Sequence, residues 1–218
     1  GTHDPAGLRV VIDPTLGGGI VRDEVAQRVV EAAEALASDV GLRIVDVPVE
    51  IPGFGFEWAM ANMASLVNEL GDTWPDCKDE LTAEMAFGLT IAEQEYNLMM
   101  AATVEAQRTE TNEGMAAIFD EADLIICATN PDVAYPADVS LNLRVGEQEV
   151  GPENNGHLTI PANIVGNPAI SVPVEPFDGL PVGMQIIGRH HDDQLLLDLA
   201  AAVERERPWP LVAAGSPL

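Results

Sequence analysis

The stretch that decides the fold is Thr159–Pro173, which reads T-I-P-A-N-I-V-G-N-P-A-I-S-V-P, together with Gly179–Gly188, which reads G-L-P-V-G-M-Q-I-I-G. A short apolar run, Ala169–Val174, begins in the first stretch, and another, Val182–Ile187, lies within the second. Such runs, bounded by Gly and Pro, are typical of strands buried on both faces. The stretch therefore predicts two strands, joined through Glu175–Pro181.

The N-terminal part predicts a strand, a helix and a second strand. Leu8–Ile12 is a β-branched run that leads into a turn with three glycines, Gly17–Gly19. Asp23 is a favourable N-cap for a helix whose apolar residues recur at steps of three and four, and Gly41 ends it. Arg43–Val49 alternates in character and predicts the second strand. A βαβ unit of this kind has a right-handed crossover.

The middle of the chain is expected to be helical. Residues 56–70 carry an apolar face at helical spacing, and the proline-containing segment Thr73–Asp79 interrupts it. A long helix is expected from about Ile91 to Phe119, with a stripe of apolar residues that indicates packing. Asp123–Ala128 predicts another buried strand, and a last helix is expected from Asp192 to about Arg205.

These elements predict an α/β fold with a mixed β-sheet flanked by helices on both faces. Residues 1–218 are expected to form one unit, with a strand-helix-strand over 8–49, a helical segment over 56–119, and a sheet and helix over 123–208. The buried strands need neighbours on both edges. A sheet that ended at one of them would leave a long exposed edge, which a partner chain or homo-oligomerisation would have to cover.

The charge of the chain disfavours one class of partner. It has 36 acidic and 10 basic residues, a formal net charge of −26, and Lys78 is its single lysine. Such a field repels phosphate backbones, so we expect no nucleic-acid partner. Adaptation to high salt is one explanation of the acidity, and a coding bias toward arginine in an acidic protein is the other. No apolar run approaches about 18 residues, so we expect no membrane partner and a cytoplasmic location.

Residues that carry nucleophilic or metal chemistry are sparse. Cys77 and Cys127 are too few for a zinc site, and their spacing does not indicate a disulfide. The triple glycine lacks the pattern of a phosphate-binding loop. His190-His191 is a candidate metal pair, although a capping role is favoured there. The serines, none of which lies in a glycine-rich nucleophile loop, are Ser38, Ser65, Ser140, Ser171 and Ser216.

Three motifs in order resemble one enzyme family. Residues 163–173 fit the pattern N-x-x-G-x-P-A-x-S-x-P, residues 179–185 fit G-L-P-x-G-x-Q, and the chain closes with E-R-x-x-P-W at Glu204–Trp209. The chain resembles the C-terminal half of the amidase signature hydrolases. The corresponding segments are Leu8–Val49, Arg108–Ala137 and Thr159–Pro208.

The resemblance implies amide hydrolysis by a lysine, a bridging serine and a nucleophilic serine, with the serines in a G-G-S-S-G-G-like run. This chain contains no such run, and Lys78 lies in a polar segment that predicts a solvated side chain. We therefore predict no catalytic residue, metal or cofactor within the chain, and we expect the catalytic residues upstream of it. The partners implied are a small-molecule amide substrate and the N-terminal half of the same enzyme.

Part of the substrate pocket is expected in a loop after a strand. The proline-bounded segment of residues 129–137 follows the C-terminal end of a predicted strand, a position that commonly lines active sites in α/β folds. Its candidate substrate-binding residues are Thr129, Asn130 and Asp132. His157 and Thr159, beside and within the T-I-P-A-N run, are further candidates, although a hydrogen-bonded surface role is favoured for the histidine.

Arg108 is the remaining candidate. Relatives that act as the A subunit of the glutamine-dependent tRNA amidotransferase hold the substrate carboxylate with an arginine fifteen residues before the strand-opening aspartate, and Arg108 precedes Asp123 by that spacing. The alternative is an arginine paired with Glu105 or Asp120 on a solvated helix. Those relatives also place an aspartate shortly before the T-I-P-A-N-like run, where this chain has Asn154-Asn155-Gly156-His157.

Three functions follow from these observations. The main one is part of an amide hydrolase, in which this chain supplies core and part of the substrate pocket. The A subunit of the amidotransferase is disfavoured by the acidic surface and the missing aspartate. A non-catalytic binding or assembly remnant is the third, and the residues of this chain do not separate it from the first.

Overall fold

A five-stranded mixed sheet forms the centre of the protein. The computed structural model describes residues 4–139 and 142–210. Short 3-10 turns lie at Gly71–Thr73, Asp76–Glu80 and Pro152–Asn155. In chain order the other elements are β1 (Arg9–Ile12), α1 (Asp23–Val40), β2 (Arg43–Ile44), α2 (Phe56–Leu70), α3 (Ala83–Glu95), α4 (Leu98–Glu121), β3 (Leu124–Ala128), β4 (Arg144–Val145), β5 (Gln148–Glu149), α5 (Ile160–Val165), β6 (Ala169–Phe177), β7 (Leu180–Gly188) and α6 (Asp193–Glu206).

The strand order of the sheet is β2-β1-β3-β7-β6. β1 runs parallel to β2 and β3, whereas β7 runs antiparallel to β3 and β6. All five residues of β3 are buried, because strands and helices surround it on every side. The predicted mixed sheet with flanking helices is therefore confirmed, and β1, α1 and β2 form the predicted βαβ unit.

The two faces of the sheet are covered by different helices. On one face, α1 and α6 pack against the sheet, and the Leu196 side chain lies against Gly188. On the opposite face, the Gln185 side chain reaches the carbonyl of Leu158, just before α5, and α4 packs beside α5. The buried residues that α1 and α6 contribute are Val25, Val29, Ala33, Leu36, Ala37, Leu195, Leu196, Leu199, Ala202 and Val203.

Asn97 separates two helices where one was expected. The prediction of a single helix over residues 91–119 is wrong, since α3 ends at Glu95 and α4 begins at Leu98. The Asn97 side-chain oxygen accepts hydrogen bonds from the backbone N–H groups of Met99 (3.0 Å) and Met100 (3.1 Å). These bonds satisfy N–H groups that have no partner at a helix start, so α4 begins anew. The predicted packing stripe is only partly buried, since Met99 is 78% exposed. Its buried members are Val104, Met115 and Ile118.

Two boundaries near the N-terminus also differ from prediction. The strand expected over residues 43–49 is shorter than predicted. It pairs with β1 over the two residues of β2, and the Val45 N–H adds one further bond to β1. Pro48 has no N–H to continue the ladder. Asp23 is the first residue of α1, and Arg22 takes the N-cap position without a side-chain hydrogen bond that caps the helix.

The stretch from Thr159 to Pro173 contains a short helix, α5, in place of a continuous loop. Gly166 ends α5 with φ 82°, a left-handed conformation that favours glycine. β6 and β7 extend to a two-residue turn, Asp178-Gly179, with φ 51° and 75°. Two positive φ values are typical of the type I′ turn, whose twist matches a β-hairpin.

β6 forms a long edge of the sheet. It is nine residues long, and it pairs only with β7 among the described residues. Pro173 and Pro176 lie in it, and proline is tolerated at sheet edges because it removes an N–H donor there. No helix in residues 4–139 or 142–210 is long and apolar enough to cross a membrane. Ser140 and Ser216 fall outside the described residues.

Candidate functional site

One face of β6 is open to solvent. Ala169, Ser171 and Pro173 are exposed, whereas Val172 between them is buried under the helices of the other face. Ser171 pairs in register with Gln185 of β7, which is only 5% exposed. The face of the sheet is therefore covered at β7 and uncovered at β6.

A pair of hydroxyl groups lies on this open face. The Thr129 Oγ1 and Ser171 Oγ atoms are 2.6 Å apart, and the Thr129 N–H donates to the carbonyl of Gly183 (3.0 Å). A Cβ at Gly183 would lie 2.7 Å from the Thr129 oxygen and 2.8 Å from the Ser171 oxygen. The absence of a side chain at Gly183 is thus what lets the two hydroxyls meet.

Gln185 fixes the covered part of the same face. Its Nε2 donates to the carbonyl of Leu158 (2.7 Å) and contacts the Cys127 Sγ (3.1 Å). Burial raises the pKa of the Cys127 thiol to about 12, so it stays a protonated, unreactive core group. Cys127 is completely buried and packs as a small hydrophobic side chain.

A cleft of about 360 Å³ adjoins the hydroxyl pair. Gly183 connects the two, because it lines the cleft and also lies against the Thr129 and Ser171 hydroxyls. Two of the predicted substrate residues, Asn130 and Asp132, line it. Its remaining lining residues come from α1, from the chain between β3 and α5, and from the start of β7: Val25, Pro131, Val133, Ala134, Tyr135, Asn142, Asn155, Pro181 and Val182.

The carboxylate of Asp132 already has partners. Its Oδ2 accepts from the Gly146 N–H (2.7 Å), its Oδ1 accepts from its neighbour Val133 (2.8 Å), and Nη1 of Arg22 lies 3.4 Å from Oδ1. The Arg22 guanidinium also stacks over the Phe177 ring at 4.4 Å. Asp132 therefore ties the cleft to the β4–β5 hairpin, and its side chain is 11% exposed.

His157 packs on the triple glycine. Its Nε2 lies 3.3 Å from the Leu16 carbonyl, and a Cβ at Gly19 would approach its ring to 2.9 Å. Burial lowers the pKa of His157, which favours the neutral ring. The glycines here serve close packing, which explains them without a phosphate ligand.

Asn154 is a buried polar residue whose role the sequence did not reveal. Its side-chain amide accepts from the Ile20 N–H (2.8 Å) and donates to the Ile20 carbonyl (3.0 Å). Both bonds require an amide, since a carboxylate would face the Ile20 carbonyl without a donor. An aspartate at position 154 would therefore lose one of the two bonds to Ile20.

Arg108 and Thr159 lie apart from the cleft lining. Arg108 is on an exposed face of α4, in a groove beside α2, with its Nε 3.8 Å from Glu105 Oε1. Thr159 precedes α5, and its carbonyl accepts from Asn163 (2.9 Å). The structure thus brings together the candidates of the 129–132 loop and leaves Arg108 on another surface.

The other candidate groups have structural partners. Lys78 donates to Thr90 Oγ1 (3.2 Å) on an exposed surface. His190 Nε2 lies 2.9 Å from the Val165 carbonyl. In the described part of the chain no group of three or more His, Cys, Asp or Glu side chains is placed to hold a metal ion.

The sequence of residues 2–197 matches the family model for amidases. The chain belongs to the amidase family. The match covers most of the 218 residues, and the resemblance to amidase signature enzymes is thereby confirmed.

Curated relatives of this amidase-family chain include components of another enzyme. The A subunit of the glutamyl-tRNA(Gln) amidotransferase of Lacticaseibacillus casei is 40% identical over 95 residues, which cover 42% of this chain and 18% of that protein. The corresponding protein of Listeria monocytogenes is 33% identical over 128 residues, which cover 59% of this chain and 26% of that protein. The chain thus matches only a minor part of each relative's length.

Solved structures share the fold over nearly all of the chain. A bacterial aryl acylamidase of the amidase signature family superposes with a TM-score of 0.79 at 23% identity, over 100% of this chain and 48% of that one. A 6-aminohexanoate cyclic dimer hydrolase superposes with a TM-score of 0.70 at 22% identity, over 95% of this chain and 47% of that one. This chain corresponds to about half of each fold.

Proposed function

We propose that this chain is one part of an amide hydrolase that cleaves C–N bonds outside peptides. The open face of β6 would pack against further segments of the fold, and those segments would carry the serine pair and the lysine. The observation that carries the proposal is the exposure of Ala169, Ser171 and Pro173 beside the buried Gln185. A half-covered sheet face of this kind, beside an edge strand, is typical of a surface completed by other residues.

The serines of this chain support a catalytic set supplied from elsewhere. Within the described residues, the hydroxyl of Ser171 meets only Thr129 Oγ1, and Lys78 is engaged with Thr90. A serine nucleophile needs a base, reached directly or through a bridging hydroxyl, and among the described residues no base is hydrogen-bonded to the Thr129–Ser171 pair. No glycine-embedded serine pair occurs in the sequence.

Complementation tests the proposal. The purified chain should hydrolyse neither acetanilide, an aryl amide, nor hexanamide, an aliphatic one. After co-expression with an N-terminal half that carries a G-G-S-S-G run, the complex should release ammonia or aniline. Hydrolysis by the chain alone, or an inactive complex that has assembled with native-like stability, would contradict the proposal.

The tRNA-dependent amidotransferase is a second candidate, because the A subunit of that enzyme is 40% identical to this chain over 95 residues. The strongly acidic surface argues against a nucleic-acid partner. The complemented enzyme distinguishes the two functions. Release of ammonia from glutamine together with transfer to glutamyl-tRNA would favour the amidotransferase, whereas hydrolysis of simple amides without transfer favours the hydrolase.

A further inference from the structure

The cleft beside the hydroxyl pair has the composition of a site for an uncharged ligand. Its volume of about 360 Å³ falls within the range of small-molecule sites, about 300–1,000 Å³. Its apolar wall is formed by proline and valine side chains, among them Val133 and Val182. No Lys, Arg or His side chain lines it among the described residues.

Three asparagines give the cleft its unused hydrogen-bonding groups. Asn130 has no side-chain hydrogen bond within the described residues. Within the same described residues, Asn142 uses its oxygen to accept from the Arg144 N–H (3.2 Å), and its NH₂ group has no partner. Asn155 donates to the carbonyls of Asn142 (2.8 Å) and Pro152 (3.2 Å), and its oxygen has no partner in that part of the chain. The cleft therefore offers both donors and acceptors, as a carboxamide ligand requires.

The charge at the cleft opposes an anionic ligand. Among the described lining residues the one carboxylate is Asp132, whose oxygens are held by two backbone N–H groups and approached by Arg22. A ligand carboxylate would meet this negative group with no cation among those lining residues, in a chain of net charge −26. Burying an unpaired charge is costly, whereas a neutral amide bears no such penalty.

We propose that this cleft binds the neutral carboxamide end of a small, partly apolar molecule and discriminates against carboxylates. The proposal rests on the proposed function, in that the bound molecule is the amide substrate. Asn130 and Asn142 are its specificity-determining residues. Binding is measured without turnover, so an inactive complemented enzyme that still binds an amide would refute the proposed function and leave this inference intact.

The test compares two probes of the same shape, benzamide and benzoate, by titration of the 218-residue chain followed by NMR at physiological ionic strength. Benzamide should bind saturably, and benzoate should bind at least about tenfold more weakly. Asn130→Leu should weaken benzamide binding about threefold to tenfold, the effect of one lost hydrogen bond. The matched control Asn68→Leu, in the separate groove between α2 and α4, should leave it unchanged.

A second variant, which introduces a positive charge, keeps the proposal falsifiable if the leucine variant misfolds. Asn130→Arg places a cation at the exposed mouth of the cleft, so the preference should reverse toward benzoate. The proposal is overturned by equal binding of the two probes, by the absence of saturable benzamide binding, or by an Asn68→Leu effect as large as that of Asn130→Leu.

Discussion

Replacing Asn154 by alanine removes the amide that holds the Ile20 backbone. Asn154 is 7% exposed and makes two hydrogen bonds to Ile20, at 2.8 and 3.0 Å. Each bond contributes about 1 kcal/mol net, and the Ile20 groups left behind lose part of their solvation because Ile20 is half-buried. The expected loss is about 2–3 kcal/mol. For a domain of this size, each kcal/mol lowers Tm by about 2–4 °C, so we expect a decrease of about 4–12 °C.

Asn163→Ala is the matched control. Asn163 is exposed on α5, and within residues 4–139 and 142–210 its side chain donates only to the Thr159 carbonyl of its own turn, at 2.9 Å. Its replacement should change stability by less than about 0.5 kcal/mol. Urea denaturation followed by circular dichroism measures both variants. If Asn154→Ala were no less stable than Asn163→Ala, the assignment of Asn154 as a buried backbone clamp would be refuted.

Three further predictions concern other sites. The pKa of Asp123 is lowered to about 2, first by its hydrogen bond from Arg9, so Asp123→Asn should cost about 1–3 kcal/mol at pH 7. This difference should shrink as the pH falls from about 5 to about 2, because the unfolded chain, whose Asp123 has its ordinary pKa of 3.8, binds a proton before the native carboxylate does; a pH-independent difference in urea denaturation would contradict the ion pair. Cys127 should resist Ellman's reagent in the native chain and react after unfolding, since its pKa is about 12; rapid reaction of both cysteines in the folded chain would show that the thiol is accessible. If Arg108 clamps a substrate carboxylate, Arg108→Lys in the complemented enzyme should lower kcat/KM for acidic amides only, by a factor equivalent to about 1–3 kcal/mol. Equal kinetics on acidic and neutral amides would leave Arg108 as the surface partner of Glu105.

The central sheet could be predicted from sequence because β1, β3, β6 and β7 lie in short, largely apolar runs. Leu124–Ala128 is buried at every position, and Val182–Ile187 lies within β7 as expected. The break at Asn97 was missed because the residues on both sides keep a helical apolar pattern, and a single side chain decides where α4 starts. Local capping chemistry of this kind outweighs periodicity.

The cleft could be predicted only in part. Asn130 and Asp132 follow a strand end, and that position is a general signal for function. Asn142 and Asn155 carry no such signal, because they reach the cleft through the path of the chain after β3. Gly183 and Gln185 were already present in the G-L-P-x-G-x-Q pattern, although their roles in hydroxyl contact and carbonyl binding follow only from the packed structure.

Active-site labelling tests the central claim most directly. A fluorophosphonate probe reacts with activated serines, so the isolated chain should remain unlabelled. In the complemented enzyme, mass spectrometry should map the probe to a serine of the added half, and Ser171→Ala should not abolish labelling. Attachment of the probe to Ser171 or Ser140 of the isolated chain would contradict the account, because it would place an activated nucleophile within these 218 residues.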